Sequence, residues 1–69
     1  METEQWGRRI RAFRKLKGYT QADLAKELNI SLSILGEIER GNRLPADELI
    51  KKISDTLGVS IDEFMEIRD

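Results

Sequence analysis

The chain has no cysteine and no histidine among its 69 residues. Those two absences remove thiol nucleophiles, imidazole bases, thiolate or imidazole metal sites and disulfide frameworks together. A small domain without such staples must be held by helix packing or by a partner chain. Absence of cysteine also fits a reducing compartment. Aromatic residues are scarce as well, only Trp6, Phe13, Tyr19 and Phe64. Trp6 is therefore expected in the core rather than as a stacking platform. No apolar run approaches the roughly 20 residues that span a bilayer. The amino terminus, Met1-Glu2-Thr3-Glu4, lacks the basic and apolar stretches of a secretory signal. These features lead to the expectation of a soluble, cytoplasmic protein that makes no membrane contact.

What is present suits one small folded domain over residues 1–69. The composition is 39% hydrophobic and 36% charged, with one proline, five glycines and no low-complexity tract. A domain near this size buries only about 60% of its unfolded surface, so its core is marginal. The net charge is −1, which by itself argues against a nucleic-acid partner. The charges are, however, divided along the chain. Residues 1–43 carry nine Lys and Arg against six acids, and residues 44–69 carry three against seven. Such a division allows a basic face on a protein that is acidic overall.

The apolar spacing is helical throughout, and no stretch alternates with the period of a strand. A first helix is expected from an N-cap at Thr3, with Trp6, Ile10, Phe13 and the stem of Lys17 on one stripe and Gly18 as its stop. Thr20, with Asp23 three residues on, reads as the next N-cap; Leu24, Ala25 and Leu28 follow, and Asn29 is suited to a left-handed stop. Ser31 then caps a third helix, from about Leu32 to Arg40, with Leu35 and Ile38 inward and Gly41 ending it. Pro45 pre-sets a fourth helix whose apolar side is Leu49, Ile50, Ile53 and Leu57, closed by Gly58. Ser60 and Glu63 form a capping box, with Val59 and Phe64 as the hydrophobic staple, ahead of a last helix over roughly Ile61 to Ile67. The reading is all-α, with five short helices.

Helices two and three are joined only by Asn29-Ile30-Ser31, too short a connector for an antiparallel pair, so they must cross steeply. Ala25 provides the small residue that a close crossing needs. Leu35 and Ile38 tuck under helix two and leave the other face of helix three outward, a shape suited to a DNA major groove. At this point the sequence resembles the lambda-repressor/Cro-like, or XRE-type, helix-turn-helix regulators. The matching stretches are Arg8-Arg9-Ile10-Arg11 with Arg14, Lys17 to Ala25, Ile38-Glu39-Arg40-Gly41, Pro45, and Leu57 to Phe64.

The resemblance implies a sequence-specific transcriptional regulator that binds double-stranded DNA, with helices two and three as its helix-turn-helix. It implies that Gln21 bonds a phosphate or braces the recognition helix. Ser31, Leu32, Ser33 and Glu37 would look into the groove, and Arg40, Asn42 and Arg43 would clamp phosphates. Arg14 and Glu39 match a family pair, expected as a partly buried ion pair that sets helix orientation. Family members of this type pair through their carboxy-terminal helices. Ile61, Met65 and Ile67, beside Phe64, would serve a homodimer in that way. No catalytic residue, cofactor, metal or small-molecule substrate is implied, and 69 residues leave no room for a separate ligand-sensing domain, so regulation is expected from concentration, a partner or a longer parent chain.

Two departures qualify the resemblance. No Arg, Lys, Asn or Gln lies between Ser31 and Glu37, although guanine is read by Arg or Lys and adenine by Asn or Gln. Leu32 could meet a thymine methyl, Ser33 either kind of pair, and Glu37 a cytosine amino group. Shape readout or Arg43 would then carry more of the specificity. Gly36 is the second departure, since a mid-helix glycine costs about 0.8–1.0 kcal/mol relative to alanine. It reads either as a place where a DNA backbone or a partner approaches a face without a side chain, or as a tolerated residue on an exposed face. The basic residues of helix one, Arg8, Arg9, Arg11 and Lys15, read mainly as a solvated face, as does Lys26. Asp62, Glu63 and Glu66 read as cap and solubility residues rather than a metal cluster. One rival function remains, a protein-interaction module that uses Leu32, Ile34 and Gly36 on the outward helix, with an acidic Glu37, and has little or no DNA binding. A small enzyme, limited to carboxylates, lysines or Tyr19, has no convincing cluster of groups.

Overall fold

Five helices and no strands make up the computed structural model, which describes residues 2–66, and the side chains of residues 5–64. They are α1 (Glu2–Leu16), α2 (Gln21–Leu28), α3 (Leu32–Glu39), α4 (Asp47–Leu57) and α5 (Ile61–Glu66). Each boundary has a local chemical cause. Thr20 caps α2 by accepting from the Asp23 amide at 3.0 Å, while the Asp23 carboxylate accepts from the Thr20 amide at 3.2 Å. Ser60 and Glu63 form the same reciprocal pair before α5, at 3.1 and 3.2 Å. Ser31 caps α3 through the Ile34 amide at 3.1 Å. Asn29 ends α2 in the left-handed conformation, φ 58°, the only non-glycine residue with positive φ among those described.

Some boundaries differ from the sequence expectation. α1 already includes Glu2, so Thr3 lies within the helix rather than capping it. α3 ends at Glu39, with Arg40 as its C-cap. α4, by contrast, begins as expected just after Pro45, at Asp47 with Asp47 and Glu48 in its first turn, although Ala46 before it gives no side-chain cap bond. Ile67 and the side chain of Met65 lie outside the described residues.

The core is one cluster. Ile10, Leu24, Ala25, Leu28, Leu35, Ile38, Ile53, Leu57, Val59 and Phe64 are buried, and Trp6, Phe13 and Ile34 pack against them. Phe64 is its centrepiece, with ring centroids 5.0 Å from Phe13 in an edge contact and 6.0 Å from Trp6. This places α5 against α1 and α4 and confirms Val59 and Phe64 as inward residues of that capping box. α3 packs on α1 and α2, and α2 also packs on α4. Lys52 of α4 donates to the Leu28 carbonyl at 3.0 Å, answering an oxygen that the end of α2 leaves without a helical partner.

A backbone-to-backbone crossing lies between α1 and the end of α3. Gly7 of α1 is buried against the end of α3, and a Cβ there would lie 2.5 Å from the Ile38 carbonyl oxygen and 2.7 Å from that of Glu39. Ala25 is buried as expected, but it is Gly7 that lets two backbones touch.

Candidate nucleic-acid interface

α3 is sided by its own periodicity. Leu35 and Ile38 are fully buried, Ile34 is half-buried in the core, and Glu39 is turned inward at 3% side-chain exposure. With 100° between successive residues, these four fill one side of the helix. Leu32, Ser33, Gly36, Glu37 and Arg40 fall on the other. Ser31, Leu32 and Ser33 are exposed, Leu32 at 52%. Ser31, Leu32 and Ser33 thus share one surface at the amino end of α3, and the fourth expected groove-facing residue, Glu37, lies on the same side about one turn further on. Ser31 uses its oxygen to cap Ile34, which leaves its hydroxyl hydrogen available to donate outward.

Three side chains and one backbone carbonyl fix how α3 is presented. Arg14 on α1 donates through Nε to Glu39 Oε2 at 2.7 Å and through Nη2 to Oε1 at 3.1 Å. Its Nη1 donates to the Tyr19 carbonyl at 2.8 Å, at the turn that leads into α2. Gln21, first residue of α2, donates through Nε2 to Glu39 Oε1 at 3.1 Å. One carboxylate therefore ties α1, the α1–α2 turn, α2 and the last turn of α3 together. The Arg14 and Glu39 side chains are 9% and 3% exposed, and no buried side-chain polar atom lacks a partner among the described residues. A two-toothed, charge-assisted pair of this kind sets geometry as well as adding energy.

The basic side chains absent from α3 itself come from beyond its end. Gly41 takes φ +83°, and the Asn42 amide bonds back to the Glu37 carbonyl at 2.9 Å. That turn brings Arg43 onto Glu37, Nε to Oε1 at 2.7 Å, with the two side chains 52% and 39% exposed. Arg40 folds back one turn over Gly36, so that a Cβ on that glycine would lie 3.0 Å from Arg40 Nη1. Gly36 is buried beneath this guanidinium. Gly36 is therefore not on an exposed face, and Leu32, Ile34 and Gly36 make no continuous outward surface beside Glu37, because only Leu32 of the three is exposed.

On α1, Arg8, Arg11 and Lys15 are exposed, whereas Arg9 lies with its guanidinium carbon 5.9 Å from the Trp6 ring centroid. Lys26 on α2 is exposed. No helix of the described residues is long and apolar enough to cross a membrane.

A family model described as helix-turn-helix matches residues 10–64. The chain is 68% identical over 63 residues to the uncharacterized HTH-type transcriptional regulator YazB of Bacillus subtilis, covering 91% of each. It is 34% identical over 61 residues to the HTH-type transcriptional regulator SinR of the same organism, covering 87% of this chain and 55% of SinR. It spans 40% of the related regulator SlrR. Among solved structures, the clp gene regulator ClgR from Corynebacterium glutamicum superposes with a TM-score of 0.91 at 32% identity, covering 94% of this chain and 69% of that one. The restriction-modification controller protein C.AhdI from Aeromonas hydrophila gives 0.84 at 30% identity, covering 91% and 96%.

Proposed function

The chain belongs to the Cro/C1-type helix-turn-helix family of DNA-binding transcriptional regulators, and from that premise we propose that it binds operator DNA as a homodimer with α3 in the major groove. The observation that carries this reading is the two-sidedness of α3. Leu35, Ile38 and Glu39 anchor one side in the protein, and Ser31, Leu32, Ser33 and Glu37 stand together on the other. Ser31, Leu32, Ser33 and Glu37 meet base edges, and Arg40, Asn42 and Arg43 hold the backbone beside them. Gln21 serves in both of its expected ways. One hydrogen of its Nε2 is directed to Glu39; the second donates to a phosphate, with Glu39 fixing the direction.

Pairing through the α5 end is supported by Ile61, 40% exposed beside an open groove of about 290 Å³ lined with Trp6, Asp47, Ile50, Lys51 and Ile61. A two-fold axis there repeats one apolar patch on both copies. The two α3 helices then read half-sites about 34–36 Å apart, or a multiple of that spacing. The work of such a regulator places it in the cytoplasm, and the whole of residues 1–69 acts as one DNA-binding unit. The test is a salt series of binding to random and selected duplexes. Phosphate clamping makes affinity fall linearly on logarithmic axes as salt rises. A salt-independent affinity, or no binding at low salt, would remove the proposal. Ile61→Asp tests the dimer: sedimentation should show a monomer that binds a half-site but loses cooperative binding to a full operator. A variant that sediments as the parent does, with unaltered operator binding, would move the interface elsewhere.

A further inference from the structure

Among the described residues, one ion pair stands on the outward side of α3, between Glu37, expected to meet a base, and Arg43, expected to hold a phosphate. Glu37 is the only ionisable side chain that α3 itself turns outward, and the turn at Gly41 brings Arg43 onto it. Their bond uses Glu37 Oε1 and Arg43 Nε, leaving Oε2 and both terminal guanidinium nitrogens outside it. The pair is well exposed, so solvent competes with it and its net strength is small. It can therefore be exchanged for contacts of similar strength on DNA. A bare carboxylate cannot enter a groove lined by phosphates without a donor to receive it, and cytosine is the base whose major-groove edge offers an amino donor without the N7 acceptor that adenine sets beside its own.

Resting on the DNA-binding reading above, we infer that Glu37 and Arg43 form a two-position specificity switch. On non-cognate DNA, Arg43 stays on Glu37 and neutralises it, so neither side chain grips the duplex. Where the groove presents a cytosine amino group, Glu37 accepts from it and Arg43 swings to a phosphate. Cognate binding thus gains a base contact and a backbone contact in one exchange. Arg40, seated over Gly36 and outside this pair, makes its contact on every sequence.

The experiment compares the full chain with E37Q, R43A and R40A on a duplex selected from a random pool by the parent protein and on a random-sequence duplex of equal length, across a salt series. Each phosphate contact adds about 0.9 to the logarithmic salt slope. The parent should show a slope steeper by about that amount on the selected duplex than on the random one. R43A should lose the difference by becoming shallower on the selected duplex alone, and R40A should become shallower on both. E37Q frees Arg43 everywhere, so its slope on random DNA should rise to meet the other, and its discrimination should fall about tenfold. Glutamine also pairs with adenine, so the base preferred at one position of the site should change from cytosine to adenine. Equal slopes for the parent on both duplexes, or an E37Q protein that keeps the parent's difference, would overturn the switch. So would a change of preferred base without a change of slope, since Glu37 would then act alone. Loss of all salt-dependent binding by the parent would instead defeat the DNA-binding reading beneath it.

Discussion

Replacing Gly7 by alanine sets two opposing effects against each other, and the structure decides between them. In a free helix the change is favourable by about 0.5–1 kcal/mol, because alanine loses less backbone entropy on folding. Here the added Cβ would lie 2.5 Å from the Ile38 carbonyl oxygen, 2.7 Å from the Glu39 oxygen and 3.0 Å from the Glu39 carbonyl carbon. All three atoms are backbone, so no rotamer relieves the overlap. α1 and α3 must move apart, and the opening falls between Ile10 and the Leu35–Ile38 layer and beside the Arg14–Glu39 pair. Overpacking of this sort costs typically 1–3 kcal/mol, with the carbonyl overlaps favouring the upper end. The expected net is a loss of about 1–2 kcal/mol, a fall in Tm of at least about 4 °C for a domain of this length. Thermal and urea melts followed by circular dichroism give both numbers. A Gly7→Ala protein as stable as the parent would refute the steric account and show that the crossing has slack.

Gly36→Ala should move the other way. Its Cβ meets only the end of the flexible Arg40 side chain, at 3.0 Å, so about 0.5–1 kcal/mol of helix stability is gained in the same melts. Arg14→Ala strands the Glu39 carboxylate in the interior and should cost about 3–5 kcal/mol, most of what so small a domain has to spare. Retained Tm with lost DNA binding in that variant would place Arg14 on DNA instead. Ser31→Ala removes the α3 cap bond and should lower stability by about 1 kcal/mol in urea melts. Gln21→Ala should cost about 0.5–1.5 kcal/mol for the lost bond to Glu39, and weaken binding to selected and random duplexes by the same factor.

The helices were legible because their limits are written locally. Thr20 with Asp23, Ser60 with Glu63, and Asn29 each satisfy backbone groups of their own neighbourhood, so the residue type alone names the cap. Thr3 failed by the same logic, since an N-cap residue preceded by another willing helix former does not stop the helix from extending past it. The inward side of α3 followed from spacing, and the Arg14–Glu39 pair followed from family resemblance. What spacing could not supply was distance between helices. Gly7 sits on α1 among charged neighbours with no turn signal, and only the approach of α3 gives it a purpose. Gly36 was noticed for the opposite reason, as an anomaly within a helix, yet its neighbour Arg40 comes from one turn on, and the direction of a long flexible side chain is not set by sequence spacing.

The placement of Glu39 links these observations into one argument about recognition. A groove-reading helix must be held to within fractions of an ångström, yet α3 has only eight residues and no stabilising charge in its first or last turn. Its rigidity therefore has to come from outside. Gly7 supplies it by backbone contact at the carboxyl end, Arg14 and Gln21 by three bonds to one buried carboxylate, and Leu35 and Ile38 by full burial. All of these act on the side of α3 that faces the protein, which leaves the outward side free to change its chemistry without loss of fold. The unusual content of that side, an acid at Glu37 and no basic or amide residue between Ser31 and Glu37, is tolerated for this reason. Under the proposed reading, substitutions at Leu32, Ser33 or Glu37 should change which duplex is preferred and leave Tm nearly unaltered, whereas a change at Gly7, Arg14 or Glu39 should lower Tm first.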